Sequence, residues 1–324
     1  MNTEQGLLFA CTLNGANDAS SLTWDEIHVW SPQQGPLWIH LDRKGLDSQQ
    51  WLHEKSGVNA IVAEALLEEE TRPRIMVLDD SLFLSLRGVN LNPGADPDDM
   101  ISIRLYIEKD RVITVRHRLL KTIQDIRSSL AANKGPQNPG EFLTVLVDGL
   151  MERMAPVVHT LDEAIDEAEE HIIGKASYQL RSQLGALRRQ VIAFRRYISP
   201  QRDVIAHLQT APLTWLNTTQ RAHIREVAEH LIRYVEELDA ARERMGVMQE
   251  ELTNKLSEQM NKTMYILTVL AGIFLPITFV TGLLGINVGG IPGSEDPWAF
   301  TTVCLTLTSA GVLLVGLFRW LKWL

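Results

Sequence analysis

A row of small and polar side chains interrupts the most apolar part of this 324-residue sequence. No Asp, Glu, Lys or Arg occurs between residues 263 and 294. Within this segment threonine, alanine or glycine recurs at intervals of three and four residues. This polar stripe consists of Asn261, Met264, Thr268, Ala271, Leu275, Thr278, Gly282 and Gly285. Oxygen atoms on one helix face can line a water-filled pore and hold a hydrated cation. The alternative is close helix packing through small residues, with threonine hydroxyls bonded to their own backbone.

The same register, continued toward the N-terminus, becomes mostly acidic. Its carboxylates are Glu226, Glu229, Glu236, Glu243 and Glu250. About 200° round the same helix an apolar row extends from Ile224 to Leu252. The acidic row is either a solvated outer face or, if several such helices surround an axis, the lining of a vestibule that concentrates cations.

Both rows require one very long helix, from about Asn217 to Gly285. No proline occurs between Pro212 and Pro276. Its apolar part, residues 264–286, is 23 residues long, which at ~1.5 Å per residue is roughly 34 Å and exceeds a hydrocarbon layer of ~30 Å. Residues 298–318 form a second uncharged stretch of 21 residues. The sequence therefore predicts two membrane spans near its C-terminus.

The charges beside these spans predict their orientation. Lys255 and Lys262 precede the first span, and Arg319 and Lys322 follow the second, whereas the loop between them contains no Lys or Arg. The positive-inside rule then places both termini in the cytoplasm and the loop outside. Two spans cannot enclose a channel, so a pore needs several copies round a symmetry axis.

The N-terminal part has the pattern of a mixed α/β domain. Strands are expected at 7–13, 37–41, 74–77, 82–87, 101–108 and 112–116, and helices at 49–55 and 58–70. A linker at 133–140 precedes two helices, at 141–173 and at 176–198, where Ser199-Pro200 is expected to end the second. Overall we expect an α+β membrane protein with a cytoplasmic α/β domain (1–132), a helical hairpin (141–212), a stalk helix (213–263), a first span (264–286), a loop (287–297), a second span (298–318) and a tail (319–324).

Composition excludes several classes of function. The net charge of −9 argues against nucleic acid as a partner. Cys11 and Cys304 are far apart and form no CxxC pair, which fits a reducing interior without disulfides. The N-terminus lacks the basic and apolar segments of a signal peptide, so we expect no export of the N-terminal part. Phosphate-binding loops and nucleophile–base signatures are absent from the sequence, which predicts no enzyme and no cofactor.

An acidic run raises the question of a separate metal site. Residues 162–171 read DEAIDEAEEH and contain two pairs of possible ligands four residues apart. The pairs are Asp162 with Asp166 and Glu167 with His171. Such spacing can hold a divalent ion, but acidic runs on helices are usually solvated. His223 and His230, one heptad apart, are a weaker hint.

The end of the first span resembles a known family. Residues 275–282 read LPITFVTG, and the triplet Gly285-Ile286-Asn287 follows. Together with two C-terminal spans this resembles the CorA-type metal-ion transporters, whose magnesium branch has Gly-Met-Asn at this place. The Ile286 variant, the run GGIPG at 289–293 and the run LRRQVIAFRRYISPQRDV at 187–204 look like the zinc-transporting ZntB branch.

The resemblance implies a funnel-shaped homopentamer in the bacterial inner membrane, with the first span of each subunit lining the pore. It implies transport of Zn²⁺, with Cd²⁺, Ni²⁺ and Co²⁺ as alternates, and uptake coupled to protons. Divalent metal ions, the lipid bilayer and further copies of the chain would be its partners. Still open are a Mg²⁺/Co²⁺ channel of CorA type, a zinc efflux protein and a membrane-anchored metal sensor without transport.

Within such a pore the residues suggest separate roles. Glycine lets backbone carbonyls turn toward an axis, and Asn287 supplies an amide oxygen, so Gly285, Ile286 and Asn287 would form a selectivity motif for a hydrated ion. The alternative for Asn287 is a helix C-cap. Glu295 and Asp296 would concentrate cations at the outer mouth. The candidates for a dewetting constriction are Leu275 and Met264.

Overall fold

The computed structural model describes residues 6–13, 21–69, 72–174, 178–286, 291, 293 and 296–321. The chain forms two compact units, one ending at Gln249 and the other beginning at Glu250. The first unit contains a β-sheet and most of the helices. The second contains the two apolar segments that the sequence predicts as membrane spans.

Six strands form one mixed sheet in the first unit. They are β1 (Leu7–Thr12), β2 (Leu37–Asp42), β3 (Arg74–Leu78), β4 (Ser81–Gly88), β5 (Ile101–Ile107) and β6 (Arg111–Arg116). Their order is β1-β2-β6-β5-β4-β3, with β2 and β6 parallel and all other neighbours antiparallel. All six predicted strands are confirmed to within one residue at each end. Their apolar residues alternate with polar ones or are buried throughout, which is the pattern that identified them.

Four short helices belong to the same domain. They are α1 (Trp24–Val29), α2 (Leu46–Glu54), α3 (Ala60–Leu67) and α4 (Lys121–Ala131). Helices α2 and α3 confirm the two predicted ones, and their residues Leu52 and Leu66 are buried in the core with strand residues such as Ile39. Helices α1 and α4 are not predicted by the sequence pattern. Helix α1 has only six residues, and α4 buries only Thr122, Ile123 and Ile126, too few apolar positions for a clear helical period.

Three long helices follow: α5 (Pro139–Gly174), α6 (Tyr178–Thr210) and α7 (Thr218–Leu284). The side chain of Asn138 accepts a hydrogen bond from the Glu141 amide at 2.9 Å and starts α5. Asn217 and Gln220 form a reciprocal capping pair at the start of α7, each bond 2.9 Å long. Because Gln220 also donates to the Asn138 amide oxygen at 3.1 Å, the first turns of α5 and α7 are joined.

The expected end of α6 at Pro200 is wrong. Helix α6 continues through Pro200 to Thr210. Proline removes one backbone hydrogen bond and crowds the preceding turn, but packing beyond it offsets that cost, since Ile205 and Leu208 are at most 1% exposed. Position 176, the predicted start of this helix, lies outside the described residues.

Gln201 fixes the extended part of α6 to the sheet. Its amide accepts from the Arg87 backbone N–H at 2.6 Å and donates to the Arg87 carbonyl at 3.1 Å. The pairing of β3 with β4 ends at Ser85, so Arg87 lies beyond the last β3 partner. The buried amide of Gln201 thus continues the ladder where β3 has stopped.

Gln201→Ala should lower the stability of this domain by ~1–3 kcal/mol, because it removes both hydrogen bonds from a buried strand edge. The expected observation is a drop of several degrees in the melting temperature of the purified protein in detergent. Gln183→Ala, an exposed glutamine on the same helix, is the matched control and should melt like the wild type. Equal melting of the two variants would contradict this role of Gln201.

The second unit contains the C-terminal part of α7 and the helix α8 (Ala299–Trp320). Both helices are long and apolar enough to cross a membrane. Their ends lie within two residues of the predicted spans, because α7 ends at Leu284 and α8 begins at Ala299. Lys322, predicted to flank the second span, lies outside the described residues.

Candidate functional site

The polar stripe lies on an uncovered face of α7. All eight of its residues are exposed in the single chain, including Met264 at 59% and Leu275 at 66%. By contrast Val269, on another face of the same helix, is only 6% exposed. The described part of this chain therefore leaves the whole stripe accessible to water, to an ion or to another subunit.

Helix α8 contacts α7 on a different side. A Cβ atom built on Gly272 would lie 2.9 Å from the ring tip of Phe318, and one on Gly311 would lie 3.6 Å from Ile277. At about 100° per residue, Gly272 lies roughly 80° and Ile277 roughly 140° from the centre of the polar stripe. Close packing through small residues thus occurs between α7 and α8, but at positions outside the stripe.

Gly272→Leu should separate these two helices. Its side chain must displace the Phe318 ring, and overpacking of this kind costs ~1–3 kcal/mol. We expect a lower melting temperature in lipid nanodiscs. Gly316→Leu is the control, since a Cβ on Gly316 meets no atom within 4 Å. A Gly272 variant as stable as the Gly316 variant would contradict the proposed close contact.

Backbone bonding of the threonines agrees in part with the packing alternative. The Thr268 hydroxyl donates to the Met264 carbonyl at 2.8 Å. Thr306 on α8, away from the stripe, makes the same type of bond to the Thr302 carbonyl, also at 2.8 Å. A hydroxyl that donates in this way keeps its oxygen lone pairs, so Thr268 can still accept a hydrogen bond from the water shell of an ion.

The predicted selectivity motif is described only in part. The Gly285 amide donates to the Thr281 carbonyl at 3.0 Å, which closes the last turn of α7, and Ile286 is exposed. Asn287 and Glu295 lie outside the described residues, as do Gly289, Gly290 and Pro292 of the loop. Asp296 is exposed, and its carboxylate accepts from the Trp298 amide at 2.9 Å just before α8. Asp296 therefore has a structural contact besides any role at a pore mouth.

The two faces predicted for the stalk are confirmed. The apolar row of α7 is buried, with Ile224 and Leu231 at 0% and Leu238 at 1% exposed. The five glutamates of the acidic row are exposed, and none of them has an ion-pair partner within the described part of the chain. They are Glu226, Glu229, Glu236, Glu243 and Glu250. Their exposure in the single chain fits both a solvated outer face and the lining of a vestibule.

The acidic run of α5 binds an arginine. The guanidinium of Arg244 on α7 pairs with Asp166, with Asp162 at 3.4 Å and with Glu169 at 2.7 Å. These bonds raise the pKa of Arg244. Among the described residues no group of three metal-ligating side chains is close enough to hold an ion. Asp162, Asp166 and Glu169 therefore join α5 to α7 through Arg244.

Asp148 on α5 is a half-buried carboxyl that the sequence pattern does not single out. Burial raises its pKa, and the nearby Glu152 and Glu226 raise it further, whereas His223 and His230 oppose the shift. Its signal in the sequence is a single carboxylate inside the apolar run 142–151. The group can change protonation state closer to neutral pH than an exposed carboxyl does.

A comparison with protein families identifies the architecture. The sequence model of the family described as CorA-like Mg²⁺ transporter protein matches residues 33–322. The chain belongs to this CorA family. Its expected membership is thereby confirmed, with relatives on the ZntB-like branch.

Two curated relatives cover nearly the whole CorA-family chain. The divalent cation transporter CmaX of Pseudomonas aeruginosa is 39% identical over 325 residues, which cover 99% of this chain and 98% of CmaX. The zinc transport protein ZntB of Yersinia enterocolitica is 35% identical over 315 residues, 97% of this chain and 94% of that protein.

Solved structures give the same fold. The structure of full-length CmaX superposes with a TM-score of 0.82 at 38% identity and covers 99% of both chains. The CorA magnesium transporter of Methanocaldococcus jannaschii superposes with a TM-score of 0.72 at 18% identity, covering 88% of this chain and 90% of that one. At this lower identity the likeness concerns the fold alone.

Family membership establishes the general activity. The chain is a divalent-cation transporter with an N-terminal α/β domain, a long helix and two C-terminal helices able to span a membrane. CorA-family proteins are transporters and not enzymes, and they work without a cofactor. The divalent metal ion is the substrate.

Proposed function

We propose that this chain transports Zn²⁺ through a pore on the axis of a homopentamer, lined by the polar stripe of α7. The continuous row of small and polar residues, exposed in the single chain and separate from the positions that contact α8, is the observation that carries this proposal. A two-helix anchor has no need of a continuous row of small and polar positions. Five copies would convert the row into rings of side chains, which two spans alone cannot do.

Zinc is the favoured substrate on two grounds. Relatives named zinc transport proteins match nearly the whole chain, and Ile286 replaces the methionine of the magnesium triplet. The stripe contains no His or Cys, and Met264 is its only soft donor. We therefore propose that Zn²⁺ passes largely hydrated, past the Gly285-Ile286-Asn287 motif, with Cd²⁺, Ni²⁺ and Co²⁺ also accepted.

The charges outside the spans suggest an orientation. Lys255, Lys262 and Arg319 flank the apolar segments, so the positive-inside rule favours cytoplasmic termini in the bacterial inner membrane. Zn²⁺ would then enter at the loop that contains Glu295 and Asp296. It would leave through a vestibule where the five stalk glutamates lower the energy of a cation.

Proton coupling must involve groups outside the spans, since neither span contains a carboxylate. Asp148 is favoured because burial and the like charges of Glu152 and Glu226 raise its pKa. Protonation of Asp148 would remove negative charge beside the proposed vestibule. Asp296 and the stalk glutamates are the remaining choices.

Three other functions lead to different measurements. A Mg²⁺/Co²⁺ channel is favoured by the family description, and a zinc efflux protein differs only in direction. A metal sensor anchored in the membrane would carry no flux.

Uptake into proteoliposomes that contain a metal-sensitive dye separates zinc transport from the Mg²⁺/Co²⁺ channel and from the sensor. We expect Zn²⁺, Cd²⁺, Ni²⁺ and Co²⁺ to enter faster than Mg²⁺, and Zn²⁺ entry to be faster when the outside is acidic. Mg²⁺ entry as fast as Zn²⁺ entry would favour the channel. Absence of flux for every ion would favour the sensor.

The same assay tests the polar stripe with a matched pair of variants. Thr268→Val removes a stripe hydroxyl without changing side-chain size, and we expect Zn²⁺ flux to fall about tenfold, equivalent to ~1.4 kcal/mol. Thr306→Val removes an identically bonded hydroxyl from α8 and should leave flux unchanged. Equal flux in both variants would argue that α7 does not line the pathway.

A further inference from the structure

A cavity of about 610 Å³ opens between α5, α6 and the loop that follows β4. Its volume lies within the range of ~300–1,000 Å³ that is usual for small-molecule sites. The two helices contribute most of the lining, and the loop contributes Leu91, Pro97 and Asp98. The polar stripe and the stalk glutamates that we propose for ion transport are not among the lining residues.

The most buried lining residues of this cavity are apolar. Phe194 of α6 is 2% exposed and Leu161 of α5 is 6% exposed. Leu91, Val157 and Ala164 also line the cavity and are half-buried. An apolar group that enters the cavity is therefore removed from water, which favours its binding.

Two carboxylates line the same cavity without a cationic partner. Asp98 in the loop and Glu152 on α5 form no ion pair within the described part of the chain. Arg153 is the only cation among the described lining residues, and its charge is paired with Asp125. The lining therefore has two uncompensated negative charges, to which a cationic ligand is complementary.

A proline in α5 provides a further acceptor on this face. Helix α5 continues through Pro156, which has no backbone N–H, so the carbonyl of Glu152 lacks its α-helical donor. Glu152 and Pro156 are about one turn apart, and both line the cavity. Thr160 and Gln190 add a hydroxyl and an amide to the lining. The cavity thus combines apolar surface with several hydrogen-bond acceptors.

We propose that this cavity binds a small organic amine, in its protonated form, that has an apolar body. An ammonium group has one positive charge and three N–H donors, which match the carboxylate and carbonyl oxygens of the lining. The apolar body would contact Phe194 and Leu161. A metal ion fits the site less well, because in the described part of the chain no three metal-ligating side chains come together and much of the lining is apolar.

Isothermal titration calorimetry of the metal-free, full-length protein in detergent tests this site, with tryptamine as the probe. Tryptamine should bind with one site per chain after subtraction of the heat from empty micelles. Tryptophol has a hydroxyl in place of the ammonium group, and methylamine has the ammonium group without the apolar body. Each should bind at least tenfold more weakly than tryptamine.

Three variants of the lining should weaken the binding of tryptamine. Glu152→Gln and Asp98→Asn each remove one negative charge, and we expect at least a tenfold loss of affinity in each. Thr160→Trp keeps both carboxylates but fills the cavity, and should abolish binding. All three residues are at least partly exposed, so the variants should fold. Glu167→Gln, an exposed glutamate of α5 outside the lining, is the matched control and should bind like the wild type.

Three results would overturn the proposal. An absence of tryptamine binding by the wild type would favour a side chain of a neighbouring subunit as the occupant of the cavity. Equal affinity for tryptophol would show that the cavity does not recognise the positive charge. Unchanged affinity in both carboxylate variants would show that tryptamine binds elsewhere on the protein.

Discussion

Asn287→Ala should lower the rate of Zn²⁺ uptake into proteoliposomes by about a hundredfold, equivalent to ~2.7 kcal/mol. In a homopentamer the substitution removes five amide oxygens from the point where the proposed pathway leaves the first span. A hydrogen bond to a charged partner is worth ~1.5–3 kcal/mol, so loss of one effective contact to the hydrated ion accounts for this change. Zn²⁺ uptake and the concentration at half-maximal rate are the measurements.

Asn287→Asp provides the informative comparison. A carboxylate keeps two acceptor oxygens and adds charge, so we expect this variant to retain Zn²⁺ uptake and to reach half-maximal rate at a lower concentration. Both variants must elute as the same oligomer as the wild type and melt at a similar temperature. Wild-type uptake by Asn287→Ala would instead assign Asn287 to a helix cap at the membrane surface.

The parts of the fold that depend on local pattern could be predicted from the sequence. The six strands, the burial of the stalk row from Ile224 to Leu252 and the two long apolar helices all follow from the period of apolar residues. The prediction that α6 ends at Pro200 was wrong because tertiary contacts outweigh the local tendency of proline to end a helix. These contacts are made by buried residues beyond Pro200 and by a glutamine that bonds to a strand more than a hundred residues away.

The candidate sites also differ in how far local sequence pattern predicts them and how far they depend on tertiary contacts. The polar stripe is visible in sequence because its members recur at helical spacing, but its exposure depends on where α8 lies. That position involves close contact of Gly272 with Phe318, which no spacing rule predicts. Contacts across the sheet depend on strand register, since Arg74 and Arg104 are 30 residues apart and come to the same face of the sheet only through β4. Asp148 was overlooked because its environment is formed by a second helix.

Leu275→Ser should raise the resting flux of Zn²⁺ about tenfold or more, equivalent to at least ~1.4 kcal/mol. Leu275 is the large apolar member of the polar stripe near the middle of the first span, and it is 66% exposed in the single chain. A ring of leucines on a pentamer axis would exclude water from a narrow segment, and a hydrated ion cannot cross a dry constriction cheaply. Serine is smaller and holds water, so the barrier should fall.

Leu270→Ser separates this effect from a general weakening of the membrane domain. Leu270 is also exposed, at 45%, but it lies roughly 120° from the centre of the stripe. It should destabilise the protein to a similar extent without opening a pathway. Flux should therefore rise only for Leu275→Ser, measured as dye signal at low Zn²⁺ concentration with no pH gradient. A similar leak through both variants would mean that the barrier is not a leucine ring on the axis, and would weaken the case that this face of α7 surrounds the ion.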